Sequence, residues 1–276
     1  MSSEPVPFVE SIFHPSDFSE ASDRAFAHAL AIALVRHTKL SILHAGELTQ
    51  ETWSQFPAVR RTLERWGLLL PDSPRSAVFR ELSVGVEKIN AGGDPVKVCL
   101  GYVAEEEPDL IVLATEGRDG VSRWLRPSVA QRVARCTHAM TLFVPAEGRG
   151  FVDPEDGEIE LKRVLVPVDH ETDAREAIER ATRACAGLGD APVELVLLHV
   201  GRELPKLPRP EGDAWQYREL VVESDDVVGK ILEEADRSNL VVMATDGRDG
   251  FLDVFRGSVT ERVVREASCP VLAVPA

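Results

Sequence analysis

The amino-acid sequence predicts an α/β fold: two tandem open parallel-sheet domains, each covered by helices. Three observations lead there. Residues 114–146 and 244–276 align without a gap, with 16 of 33 positions identical, and ATEGRDG (114–120) returns as ATDGRDG (244–250). Upstream, FHPSDFSEAS (13–22) faces LVPVDHETDA (165–174), and SILHAG (41–46) faces VLLHVG (196–201). Asp17 therefore answers Asp169, and His44 answers His199. Such self-similarity marks an internal duplication. Finally, short apolar runs alternate with helically periodic stretches. Strands apolar on both faces, alternating with helices, imply a parallel sheet with right-handed crossovers. At 276 residues, and at roughly 150 residues per domain, two domains are expected: 1–146 and 161–276, joined by 147–160.

In the second half, LKRVLVPV (161–168) and VELVLLHV (193–200) read as buried strands. Between them, DAREAIERATRACAGLG has apolar residues at helical spacing and stops at Gly189. LVVES (220–224) is the expected third strand, followed by a helix over 225–237, the strand NLVVMA (239–244), a helix over 258–267 and the strand PVLAVP (270–275). The first half repeats this order, with Asp94-Pro95 as a cap and first helical residue. Between the halves, EGRGFVDPEDGEI is rich in Gly, Pro and acid and lacks periodicity, as linkers do.

The copies differ in length. The first half spends its surplus between His44 and Gly117 on an amphipathic segment, ETWSQFPAVRRTLERWGLLL. The second offers GRELPKLPRPEGDAWQYRE there, and Pro205, Pro208 and Pro210 exclude a regular helix. A shortened second helix is expected, with a loop, the other half or another chain covering that face.

Composition excludes several functions. With 46 acidic against 31 basic residues the formal charge is −15, which repels phosphate backbones and anionic membranes. Neither nucleic acid nor membrane is an expected partner. The four cysteines show no metal-type spacing, which suits a reducing cytoplasm. The start, MSSEPVPFVE, lacks a secretory pattern, and no apolar run reaches membrane-spanning length.

The duplicated loop carries the chemistry. Asp169 and ATDGRDG each follow a strand, at the edge where open α/β sheets bind ligands. The helix start GSVTERVV presents unpaired N–H groups and a favourable dipole to an anion. Gly247 and Gly257 let backbone approach a phosphate, while Ser258 and Thr260 add hydroxyls. Asp169 is placed to accept from ribose hydroxyls. A plainer reading stands beside this: a tight strand-to-helix turn, with Asp17 and Asp169 capping helices. Arg126 and Arg256 face either phosphate or solvent, and His44 and His199 read as packing residues.

The spacing Ala244, Gly247, Gly257, Ser258 resembles the nucleotide-binding signature of the universal stress protein family. The VPVD strand end, the DFSEAS start and the SCPVLAV finish extend that resemblance over nearly the whole chain. It implies five-stranded Rossmann-like domains of the adenine nucleotide alpha hydrolase type, strand order 3-2-1-4-5, pairing of domains through their last strands, and in one subgroup bound ATP or AMP. Carried over, it nominates Pro167, Val168, Asp169, Val200, Met243, Ala244, Gly247, Arg248, Gly257, Ser258, Val259 and Thr260 as nucleotide-binding. Ala244 replaces the family's first glycine. Asp246 and Asp249 disfavour a triphosphate unless Mg²⁺, Arg248 or Arg256 offsets them. In the first half Pro127 replaces the glycine and Ala130 the threonine, so that site is expected not to bind.

The expected function is a stress-response protein regulated by an adenine nucleotide in its C-terminal domain, non-enzymatic apart from slow incidental hydrolysis, with neither catalytic nor metal residues. The alternative is a tandem scaffold that binds no nucleotide. An adenylating or pyrophosphate-releasing enzyme would want an SGGxDS-type loop where PSDFSE and PVDHET stand. The halves are expected to pack as an intramolecular pseudo-dimer, and the whole chain to be capable of homodimerising.

Overall fold

The computed structural model describes residues 9–47, 49–115, 139–189, 192–207, 209–245 and 259–275. In the first half these form β1 (Ser11–Pro15), α1 (Glu20–Arg36), β2 (Lys39–Ala45), α2 (Gln50–Gln55), α3 (Val59–Arg65), α4 (Ala77–Leu82), β3 (Gly85–Ala91), α5 (Pro95–Glu106), β4 (Leu110–Thr115) and β5 (Met140–Pro145). The second half supplies β6 (Arg163–Pro167), α6 (Arg175–Leu188), β7 (Val193–Val200), β8 (Trp215–Val222), α7 (Val227–Ala235), β9 (Leu240–Thr245), α8 (Val259–Glu266) and β10 (Val271–Pro275).

One ten-stranded sheet runs through the molecule in the order β3-β2-β1-β4-β5-β10-β9-β6-β7-β8. Each half therefore has the order 3-2-1-4-5 that the resemblance implied. Among the described strands, pairing is parallel within each half and antiparallel at the seam between β5 and β10. There Leu272 stands opposite Leu142, flanked by Val271–Phe143 and Ala273–Thr141. Leu142 and Leu272 are equivalent residues of the duplication, so a pseudo-twofold axis passes between them, normal to the sheet.

An axis in that direction keeps like faces together. One face carries α1 and α6 side by side over a single apolar core that crosses both halves, from Ile12 and Leu30 to Ile178 and Leu272. α1 approaches closely because Ala25, Ala27, Ala29, Ala31 and Ala33 are all buried. The opposite face has two cores, one around α5 with Phe13 and Phe143, the other around α7 and α8 with Ile231 and Val263. Helix starts follow local chemistry: Ser19 accepts from Ser22 N–H ahead of α1, and Asp94 accepts from Lys97 N–H ahead of α5.

Three details depart from expectation. The amphipathic segment of the first half is not continuous: Pro57 separates α2 from α3, and Gly67, at φ +71°, ends the turn after α3. The third strand of the second half begins at Trp215 rather than Leu220. It is an edge strand whose residues alternate in burial, so its early part lacks the apolar run of a central strand. Between β7 and β8 the described residues contain no helix, which goes beyond shortening; Leu204, Pro205 and Leu207 cover the sheet as a strap, with Pro205 buried.

The segment between β5 and β6 is docked rather than loose. Phe151, Val152 and Leu161 are buried, and a bridge pairs Val152 with Ile159. Phe151 meets the His28 ring edge-on at 4.8 Å, and Trp66 Nε1 donates to Pro154 O at 3.1 Å. Apolar residues sparse in an acidic stretch were enough to anchor it to the shared core.

Candidate functional site

In the second half, the carboxyl ends of β6, β7 and β9 and the first turn of α8 lie at one edge of the sheet. β6 pairs with β7 on one side and β9 on the other, so the chain order reverses there. That reversal is the switch point where open α/β sheets take ligands.

Pro167 ends β6 and is half-buried, Val168 is buried, and Asp169 emerges exposed. Val168 N–H donates to Leu198 O at 2.8 Å, extending the ladder by one residue. Asp169 Oδ1 accepts from the N–H groups of Glu171, at 2.9 Å, and Thr172, at 2.6 Å, while Oδ2 lies 3.4 Å from Thr172 Oγ1. The aspartate thus builds an Asx turn. It does not cap a helix: Ala174 is the N-cap of α6, without a side-chain bond, so that part of the plainer reading is corrected. Asp17 does the same work in the first half, accepting from Ser19 N–H at 3.0 Å, and Ser19 is the cap of α1.

Val200 ends β7, half-buried. Met243 is buried and Ala244 half-buried near the end of β9, and Thr245 Oγ1 donates to Val274 O at 3.1 Å. Across the edge α8 opens with Val259 exposed and Thr260 buried. Gly247, Arg248, Gly257 and Ser258 lie outside the described residues, as do Glu116, Pro127, Ser128 and Ala130 of the first half. The described edge therefore brings together Pro167, Val168, Asp169, Val200, Met243, Ala244, Val259 and Thr260.

Residue patterns undervalued a pair of braces. His199 Nδ1 donates to Val168 O at 2.9 Å, and His44 Nδ1 donates to Ser16 O at 2.8 Å; a carbonyl only accepts, so Nδ1 carries the proton. Each histidine holds the backbone of the loop that follows the first strand of its half. A ring then lies on each brace, Phe18 stacked on His44 at 4.0 Å and His170 edge-on to His199 at 5.1 Å. In the first half Phe56 and Trp53 extend the stack, so aromatic rings fill the mouth of β1 and β2. In the second half His170 is exposed and its Nε2 lies 2.9 Å from Glu203 O. The signal for this asymmetry was the exchange of Phe18 for His170 beside matched histidines.

Among the described residues, no group of three or more His, Cys, Asp or Glu could hold a metal ion. The described serine–histidine contact, Ser22 Oγ to His14 Nε2 at 3.4 Å, is sealed in the interior. Burial pulls the His14 pKa down to about 4, against the bond to Val112 O and the charge of Asp17, which raise it. No described helix is long and apolar enough to cross a membrane.

A family profile described as the universal stress protein family matches residues 10–145 and 215–275. The second match begins at β8, so Pro167 to Asp169 lie outside it, while the glycine loop and α8 lie inside. Among curated relatives, universal stress protein Rv2005c of Mycobacterium tuberculosis is 24% identical over 290 residues, covering 93% of this chain and 94% of its own. Rv2623 of the same organism is 27% identical, with 93% of each chain covered. Among solved structures, a universal stress protein from Archaeoglobus fulgidus superposes with a TM-score of 0.61 at 20% identity over 97% of both chains. That likeness speaks to the fold, and it spans both halves. The chain belongs to the universal stress protein family, as two tandem copies of its domain joined through one sheet.

Proposed function

We propose that the second half binds an adenine nucleotide, ATP or AMP with or without Mg²⁺, and that occupancy regulates the protein's association with others. One observation carries this reading: β6, β7, β9 and the opening of α8 converge at the switch point, with the matched glycine loop between β9 and α8. The first turn of α8 supplies N–H groups and a positive dipole end for phosphate. Asp169 is exposed, and Oδ2, which accepts only at 3.4 Å from Thr172 Oγ1, is the oxygen offered to a sugar hydroxyl. The first half differs in two independent ways, Pro127 in its loop and the Phe18–His44–Phe56 stack at its mouth. The role is binding rather than catalysis, in a reducing cytoplasm.

Thermal denaturation with ATP, ADP and AMP, each with and without Mg²⁺, tests the proposal. A ligand at 100 times its Kd stabilises by about 2.7 kcal/mol. Losing a hydrogen bond to a charged group costs roughly 1.5–3 kcal/mol, or about 10- to 150-fold in affinity. Ser258→Ala and Gly257→Pro are therefore expected to remove binding, and Ser128→Ala to leave it intact. Loss on Ser128→Ala instead would overturn the assignment. A second reading is favoured by Asp169, whose Oδ1 is already engaged by Glu171 and Thr172: a scaffold that binds no nucleotide. Absence of any nucleotide-dependent shift would select it.

A further inference from the structure

Away from that edge, the amino ends of β6 and β7, the middle of β8 and the end of α7 line an open cleft of about 410 Å³. Arg163, Arg218, Arg237, Glu194, Glu234 and Leu220 line it. The five ionised groups form an open chain. Arg218 Nη1 lies 3.1 Å from Glu194 Oε1, and Arg163 Nε lies 2.9 Å from Glu194 Oε2. Arg163 Nη2 lies 2.7 Å from Glu234 Oε2, and Arg237 Nη1 lies 2.7 Å from Glu234 Oε1.

Both carboxylates are thus shared by two guanidiniums, one oxygen each, and Arg163 is held in the middle. The central pair, Arg163 and Glu234, is only 12% exposed, whereas Arg218 and Arg237 are 56% and 70% exposed. Three cations against two anions leave one positive charge uncompensated, with spare donors at both open ends. That is a local inversion in a chain of net charge −15. The other half does not share it. By strand register, Lys39 and Glu87 occupy the positions of Glu194 and Arg218 with the charges exchanged, 2.7 Å apart. Ser11 stands in place of Arg163, and Glu107 in place of Arg237.

We infer that this cleft is a site for a small carboxylate- or phosphate-bearing metabolite whose oxyanion bridges Arg218 and Arg237, closing the open chain into a ring of alternating charge. Guanidiniums suit it because they present paired donors to an oxyanion. Leu220 gives a short apolar body a wall to lie against. The site is at the other end of the strands from Asp169 and Thr260, and it does not depend on nucleotide binding there.

Calorimetric titration of the full chain with inorganic phosphate, and separately with succinate, at ionic strength held constant by sodium chloride, tests the inference. Saturable one-to-one binding of at least one anion is expected, and which anion binds more tightly distinguishes phosphate from carboxylate recognition. Arg218→Gln and Arg237→Gln, both at exposed positions, should each weaken it by about tenfold or more while the melting temperature without anion and the response to ATP stay unchanged. Three results would overturn the inference: no saturable heat with either anion, binding indifferent to both substitutions, or binding abolished by Ser258→Ala, which would place the anion in the glycine loop.

Discussion

His14 and His28 are fully enclosed in the first half, and burial lowers each pKa to about 4. At His28 the Arg24 carbonyl, accepting from Nδ1 at 2.9 Å, works against burial while the Arg24 charge adds to it, and among the described residues the buried Nε2 has no partner. The unfolded chain takes up a proton near pH 6.5 that the folded chain refuses until about pH 4, so stability is full above 6.5 and falls as pH drops through that window. Each histidine contributes about 3 kcal/mol to the loss. Urea midpoints at pH 7 and pH 5 should therefore drop steeply, and His28→Leu should recover part of the difference; an unchanged drop in the variant would remove His28 from the account. The duplication also persists to single hydrogen bonds. Ser16 and Val168 donate to Leu43 O and Leu198 O, both at 2.8 Å, and Gly46 and Gly201 donate to Ala91 O and Val222 O, at 3.0 and 2.9 Å. A Cβ added at Gly201 would lie 2.4 Å from His199 Nε2. Because His199 is anchored to Val168, Gly201→Ala should cost about 1–3 kcal/mol in denaturant unfolding and loosen the loop bearing Asp169. A neutral result would show that the imidazole swings away freely.

Elements were legible where one physical signal acted alone. β7 is bounded to the residue because a central strand is apolar on both faces, and the start of α5 is fixed because Asp94-Pro95 can begin little else. β8 and the α2–α3 segment differ from expectation because competing signals overlap: alternation at an edge strand hides its start, and helical periodicity across Pro57 conceals a break. Three prolines between β7 and β8 argue for a shortened helix but leave open what covers that face, since contacts of Leu204 and Leu207 with the core depend on where α6 lies. At the site, Pro167, Val168, Asp169, Val200, Met243, Ala244, Val259 and Thr260 do gather at one edge because each adjoins a strand end or a helix start. The histidine braces were visible only as a repeated letter, since their target is a backbone carbonyl far along the chain. The strap gives this scale its prediction. Leu204 and Leu207 are partly buried, so changing each to serine should cost about 1 kcal/mol and hasten proteolytic cutting between 201 and 214. Unaltered cutting would mean that the prolines alone hold the strap.

At the scale of the whole molecule, the seam explains why two copies behave as one body. Across the pseudo-twofold axis Phe143 faces Val271 and Thr141 faces Ala273, a large residue and a medium one answered by smaller ones. Two copies of β10 paired in the same register would set Val271 against Ala273 twice and leave space. Two copies of β5 would bring two phenylalanines and two threonines to the same face, which crowds it. Side-chain volume thus favours the mixed pair over either like pair, by the same close packing that makes cores intolerant of added or missing methylenes. Phe151 and the contact of α1 with α6 add to the coupling from the shared core. Calorimetry of the intact chain should therefore show one transition, with calorimetric and van't Hoff enthalpies equal. Phe143→Ala should cost about 3–5 kcal/mol and, by emptying the seam, separate the melting of residues 1–146 from that of 161–276. Two resolved transitions in the unsubstituted protein would mean that the halves are neighbours rather than one cooperative unit, and nucleotide bound at the second could then not be felt by the first through the sheet.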